Sequence, residues 1–271
     1  HTVWLPPGPA PIRGRAAPRR SAPVPDSPMV SMVVPTYNER ERLEHFVRTL
    51  VGVLQGAGVR SEIIIVDDNS PDGTGKLADG LVHRSGKLGL GSAVMAGFAV
   101  ASGDVLGVMD ADVSHPPERV PVLVAALEAT GADVVIGSRY IPGGGTRNWP
   151  LSRRVMSRAA CLVARAVTPV HDAASGFFVL RRPVIHGVEI RAAGFKICLE
   201  LLVRGAVRSV VEVPYVFSDR AAGQSKMNHR EALGFLVQIG QLFQWERRER
   251  KPRPARRQLS PAEADRLAAR A

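Results

Sequence analysis

The chain has 271 residues, 45% apolar and 23% charged, with a formal net charge of +11. That length and apolar share allow one sizeable core and exclude disorder throughout. Only 5% of residues are aromatic and no nucleic-acid-binding motif accompanies the charge, which favours solvated tails or an anionic membrane surface over nucleic acid.

Residues 1–28 are rich in Pro, Arg and Ala without any period, which predicts disorder, and they lack the basic-then-apolar order of a secretory leader. "VSMVVP" and "EIIIVDD" are β-branched runs of buried-strand type. Between them, "ERERLEHFVRTLVGVLQ" places Leu43, Phe46, Val47, Leu50 and Leu54 on one helical face. "GKLGLGSAVMAGF" reads as a tight turn and helix start. It is not the dinucleotide fingerprint, because the first βα turn, "PTYNERE", has no glycine. "DVLGVMD" and "ADVVIGS" are two further strands, separated by the helical "PERVPVLVAALEAT". Alternation of this kind predicts an α/β fold, a mainly parallel sheet with helices on both faces.

The second half is less regular. "RNWPLSRRVMSRAACLVARAV" predicts a helix with Arg on one side, "HDAASGFFVLRR" a loop entering a strand, and "SVVEVPYVF" another strand. A basic loop, "SDRAAGQSKMN", closes a catalytic unit spanning residues 29–228. Residues 229–249 predict an amphipathic helix carrying Leu233, Leu236, Val237, Ile239, Leu242 and Phe243, expected to lie in a membrane interface. Residues 250–271 predict a basic, disordered tail. No stretch approaches the ~20 uncharged apolar residues of a spanning helix. Cys161 and Cys198, far apart, suit a reducing compartment.

Each predicted strand delivers polar groups to the same edge: Thr36 to Glu39, Asp67 to Ser70, Asp110 and Asp112, and Ser138 to Tyr140. In parallel sheets ligands bind there. Asp110 and Asp112 suit Mg²⁺ or Mn²⁺, which takes one or two carboxylates and fills its shell with substrate phosphates; a solvated turn or a cap before Pro116 is the alternative. Asp67 and Asp68 suit hydrogen bonds to a ribose or base, or a cap on the next helix. Gly89 marks a turn near phosphates or base. Arg220, Ser225 and Lys226 form either an ordinary exposed loop or a pyrophosphate clamp.

In order, "VPTYNERERL", "EIIIVDDNSPDGTG", "GKLGLGSAVMAGF", "MDADVSHPPE", "VIGSRY", "RNWPLSRRVMSRAA", "SGFFVLRR", "GFKICLELLVRG" and "DRAAGQSKMN" resemble the polyprenol-phosphate (dolichol-phosphate) mannosyltransferases, inverting glycosyltransferases of the GT-A fold. The resemblance covers roughly residues 30–245. It implies a single GT-A domain transferring mannose from GDP-mannose to a polyprenyl phosphate. Pro35, Tyr37, Glu39 and Asp67 would hold the nucleoside, with Asp68 and Gly89 beside them, and Asp110 and Asp112 the metal. Arg139, Arg220, Ser225 and Lys226 would meet phosphate, and Arg139, Arg153, Arg154 and Ser175 the acceptor. Asp110, Asp112, Arg220 and Lys226 would carry catalysis. Ser114, Cys161 and Phe178 depart from residues common at those positions. A UDP-glucose-dependent glucosyltransferase and a non-catalytic nucleotide-sugar-binding subunit are the alternatives. The expected place is the cytoplasmic face of a membrane, peripheral, beside a separate membrane-embedded partner.

Overall fold

A computed structural model describes residues 28–77, 82–86, 89–187, 196–218 and 229–269. In chain order these form β1 (Val30–Thr36), α1 (Arg40–Gly56), β2 (Ser61–Asp67), β3 (Val82–His83), α2 (Leu90–Val100), β4 (Val105–Val108), α3 (Val120–Thr130) and β5 (Val134–Ser138). There follow β6 (Gly145–Arg147), α4 (Leu151–Ala164), β7 (Phe178–Arg181), α5 (Ile197–Arg204), β8 (Ser209–Pro214) and β9 (Val216–Ser218). The last elements are α6 (His229–Glu249), β10 (Ala255–Gln258) and α7 (Pro261–Ala268).

The main sheet runs β10-β8-β5-β7-β4-β1-β2-β3, and β6 pairs with β9 in a separate ribbon. β1 is buried almost throughout because it pairs in parallel with both β2 and β4 and is covered on both faces, which is why it reads as a continuous apolar run. α1, α3 and α7 contribute to the core on one face; α2, α5 and part of α6 contribute to the other. The five α1 residues expected inward are those buried. Each stabilises the fold by roughly 1.5–3 kcal/mol through removal from water.

The sheet is mainly parallel, as expected, with β7 running antiparallel to both β4 and β5. Two expectations need correction. First, "SVVEVPYVF" is two strands, β8 ending at Pro214 and β9 starting at Val216 in the other sheet. Proline lacks the N–H that would continue the ladder.

The second correction concerns residues 250–271, expected to be disordered. Within the described part, β10 pairs in parallel with β8, from Ala255 opposite Ser209 to Gln258 opposite Glu212. Leu259 and Ala264 are buried in the core, and Ser260 with Glu263 forms a reciprocal capping box at the start of α7. The Lys251 ammonium donates to the carbonyls of Val203 (2.7 Å) and Gly205, at the electronegative C-terminal end of α5. Arg253 pairs with Glu246 at 2.6 Å. Basic residues that read as a solvated run are thus tied to carbonyls and carboxylates of the folded unit.

The expectation for residues 1–28 lies almost wholly outside the described residues. That for 229–249 meets a helix of the same bounds, which buries Ile239 and Leu242 while Leu233, Leu236, Val237 and Phe243 stay exposed.

Candidate active site at the carboxyl edge of the sheet

β1, β2, β4 and β5 run the same way, so the loops after them gather at one edge. The first two loops are interlocked. The Thr36 hydroxyl donates to Asp67 Oδ1 at 3.2 Å, and Ser70 donates to the same carboxylate through its N–H (2.9 Å) and hydroxyl (2.5 Å). The Asn38 N–H donates to Ser70 Oγ at 3.0 Å, and the Glu39 N–H to Thr74 Oγ1 at 3.0 Å. Asn38 and Asn69 both adopt left-handed backbone, φ 59° each, which asparagine tolerates better than most residues. Asp67, almost wholly buried, thereby organises the turn, with Pro35 in the ladder opposite Val66 and Tyr37 exposed on the rim.

Asp68 takes a cation from its own chain: it pairs with Arg84, both side chains largely buried. Arg84 also donates to Ser92 Oγ (2.6 Å) and to the Gly89 carbonyl (3.3 Å), so one guanidinium joins β2, the segment after β3 and the start of α2. Gly89 has φ 98°, which a residue with a Cβ rarely adopts.

Asp110 and Asp112 follow β4 and are half-buried at the opening. The Ser114 N–H donates to Asp112 Oδ1 at 2.9 Å, and the Asp110 N–H to Nδ1 of the buried His115 at 3.3 Å. His115 stacks on Phe177 (5.2 Å between centroids, 13° between planes) and meets Tyr215 and Phe217 at 5.8 and 5.4 Å. Burial lowers its pKa to about 4, so the ring is a neutral acceptor for the Asp110 amide. Gly176 comes so close that a Cβ there would sit 3.4 Å from Asp110 Oδ2. Among the described residues no three or more His, Cys, Asp and Glu gather into a metal cage. The pair fits a hard divalent cation that shares its shell with substrate oxygens.

Arg139, expected to meet phosphate, has a carboxylate partner within the chain. It is buried, its Nε and Nη2 donate to Asp172 at 2.7 Å each, and its N–H donates to Asp172 Oδ2 at 2.9 Å. A buried guanidinium requires such a partner. Burial would raise the Asp172 carboxyl, but Arg139 holds it below the usual range. Ser175, an expected acceptor contact, is buried with its hydroxyl accepting from the Phe177 N–H at 3.2 Å. Arg153 and Arg154 lie on the first turn of α4, Arg153 half-buried and Arg154 exposed. Arg220, Ser225 and Lys226 lie outside the described residues.

Four residues that composition and pattern did not single out complete the edge. Asp172 holds Arg139. Glu212 accepts from Ser138 Oγ at 2.8 Å. His115 seats the Asp110 turn. Lys196, its pKa lowered by burial and then by Arg139, shares the neighbourhood of Asp172 and Asp110. A charged residue inside an otherwise apolar run, as Glu212 in "SVVEVP" and Lys196 in "GFKICL", is the signal that marks two of them.

The chain matches the Glycosyl transferase family 2 description over residues 31–188. It belongs to that family. Its relatives include a dolichol-phosphate mannosyltransferase of Pyrococcus furiosus, 44% identical over 80% of this chain and 64% of that one. The chain thus spans a little under two thirds of the archaeal relative's length. A polyprenol monophosphomannose synthase of Mycolicibacterium smegmatis is 42% identical over 77% of this chain and 86% of its own. An undecaprenyl-phosphate mannosyltransferase of Micrococcus luteus is 37% identical over 80% and 96%. Among solved structures, glucosyl-3-phosphoglycerate synthase from Mycobacterium tuberculosis, with Mn²⁺, UDP and glucosyl-3-phosphoglycerate, superposes with TM-score 0.60 at 22% identity, covering 78% of this chain and 80% of that one. Mannosyl-3-phosphoglycerate synthase from Rubrobacter xylanophilus superposes with TM-score 0.57 at 19% identity, covering 82% and 75%. These superpositions establish the GT-A-like fold.

Proposed function

We propose that this family 2 glycosyltransferase moves mannose from GDP-mannose to a polyprenyl phosphate with inversion, releasing GDP. The observation that carries the reading is the Asp110–Asp112 turn at the end of a central strand, on the same sheet edge as the Arg139 segment. The names of relatives at 37–44% identity support the acceptor and the sugar. An acceptor phosphate oxygen attacks the anomeric carbon while the bond from that carbon to the diphosphate oxygen breaks. Phosphate with a second pKa near ~6 is already largely ionised at neutral pH, so no side chain need remove a proton. Asp67, Asp68 and the Asn38–Glu39 turn form the wall expected to face the nucleoside, with Gly89 at the start of α2. Asp110 and Asp112 would hold Mg²⁺ or Mn²⁺, which when bound neutralises charge on the leaving diphosphate. Arg153 and Arg154 would steer the acceptor, with Arg220, Ser225 and Lys226 on the leaving group.

The test incubates the full chain with labelled GDP-mannose or UDP-glucose and polyprenyl phosphate, with and without Mn²⁺. Mannolipid from GDP-mannose alone, lost on chelation and in Asp112→Ala, is expected. Glucolipid from UDP-glucose would change the donor, and full activity of Asp112→Ala would remove the metal assignment.

A peripheral place at the membrane is part of the same reading. No helix among the described residues is long and apolar enough to cross a membrane. α6 exposes Leu233, Leu236, Val237 and Phe243, and α4 exposes Leu151, Val155, Met156 and Leu162. With Arg247 and Arg248 in the last turn of α6, such surfaces suit an anionic lipid interface, each basic residue worth up to ~1 kcal/mol. A separate membrane-embedded partner would complete the anchor. Sedimentation with anionic liposomes compares the full chain with Leu233→Ser/Leu236→Ser/Phe243→Ser; equal binding by both would move the anchor elsewhere.

A further inference from the structure

Glu212 sits on β8 with no measurable exposure. Its carboxylate accepts from the Ser138 hydroxyl (2.8 Å), from the His171 N–H (3.1 Å to Oε2) and from the Asp172 N–H (3.1 Å). It therefore braces the end of β5 and the start of the loop that leads to β7. The loop is anchored again at Asp172 itself, whose carboxylate is the partner of Arg139. It then passes Ser175 and reaches Gly176, against the Asp110 carboxylate. A buried carboxylate with this many donors still needs a positive charge nearby. Among the described residues the arginine that faces it is Arg256, 3.6 Å from Oε2 and delivered by β10. His171 Nδ1 lies 3.3 Å from the same oxygen, and Arg256 Nη1 approaches that ring as well. Gln258, two residues on and so on the same face of β10, places Nε2 2.8 Å from His171 Nδ1.

We propose that Arg256 is a positioning residue of the transferase site: acting through Glu212, it holds the loop from His171 to Gly176 that fixes Arg139 and backs Asp110. This rests on the reading that Asp110 belongs to the reacting centre. Without Arg256 the carboxylate loses its cation, and the two amides and the hydroxyl it fixes lose their common acceptor geometry. A shift of even ~1 Å at the far end of the loop would cost turnover far more than donor binding.

The test compares Arg256→Ala, Arg256→Lys and Arg253→Ala in the full chain. Arg253 ties the same segment to Glu246 and to the Ala166 carbonyl, away from Glu212, and so controls for loosening of the segment as a whole. Arg256→Ala is expected to lower kcat about tenfold with donor KM within about threefold, and Arg256→Lys to restore most of it. Arg253→Ala keeps kcat near wild type even where its melting temperature falls as far. Independently of substrate, amide hydrogen exchange over residues 168–178 should quicken in Arg256→Ala and not in Arg253→Ala; if Arg256→Ala does not fold, Arg256→Gln takes its place. Unchanged exchange over 168–178, or an equal loss of kcat in Arg253→Ala, overturns the proposal. A wild type that transfers no sugar defeats the functional reading instead, and the exchange comparison then decides this inference alone.

Discussion

Arg153 lies over Trp149, its guanidinium carbon 4.1 Å from the ring centroid, while Arg139 approaches the same indole at 5.5 Å. The ring continues through Phe217 (5.2 Å) to His115 and so to the Asp110 turn. Stacking holds the Arg153 guanidinium in one plane at the start of α4, a geometry that lysine cannot copy. Arg153→Ala should raise the KM for polyprenyl phosphate about tenfold at saturating donor, and Arg153→Lys should recover only part of it. Initial rates against acceptor concentration check this; an unchanged acceptor KM would assign the acceptor phosphate to other groups.

Asp172→Asn should destabilise the fold by about 3–5 kcal/mol, because it strands the buried Arg139 charge. Urea unfolding followed by circular dichroism measures it. Arg139→Met combined with Asp172→Asn should recover part of the loss, since the uncompensated charge is then gone. A double variant as unstable as the single would show that packing, not the charge pair, dominates there.

Val113, next to Asp112, holds φ 60° although it is β-branched, and its side chain is 46% exposed. Left-handed backbone costs such a residue of order 1–2 kcal/mol. Val113→Asn should therefore raise stability by about 1 kcal/mol, with little apolar burial lost and turnover retained. A thermal melt together with the transfer assay reads both. A lower melting temperature would show that Val113 contributes contacts outweighing its strain.

Away from the site, Glu62 takes hydrogen bonds from Ser31 Oγ (2.5 Å), the Ser102 N–H (2.7 Å) and Ser102 Oγ (2.8 Å). Burial pushes its carboxyl up, but these donors outweigh burial and leave the pKa lowered. A lowered carboxylate contributes stability that is present above the unfolded pKa of about 4.3 and is lost as pH falls through the folded value. The stability gap between wild type and Glu62→Gln should be constant from about pH 8 to 5 and shrink below about pH 4. Denaturant titrations across that range give the gap; one that widens on acidification would contradict the sign.

Most of the carboxyl edge was legible because it follows from local pattern. The α1 residues Leu43 to Leu54 show helical spacing, and Asp67, Asp110 and Ser138 each end an apolar run. What escaped depends on distant pairing. Nothing near Arg139 in sequence points to Asp172, 33 residues later, and nothing in "SVVEVP" points to Arg256. A charge that looks ready for a ligand is neutralised by a residue that only folding brings near. The tail escaped because "ARRQ" has no strand pattern, and its conformation comes from the ladder with β8. One local signal does lie in the tail: Ser260 and Glu263, three apart, are a capping box, the sequence mark of a helix start.

The ladder between β8 and β10 also closes one end of the sheet. Without β10, the main sheet would end at "SVVEVP", an apolar strand with its outer row of N–H and C=O groups open to any other chain. β10 covers that row with a four-residue strand whose Arg257 carries charge to the rim, and short charged edges resist pairing with a second copy. A protein cut after Arg250 should therefore self-associate on refolding, through β8, before any loss of chemistry could be measured.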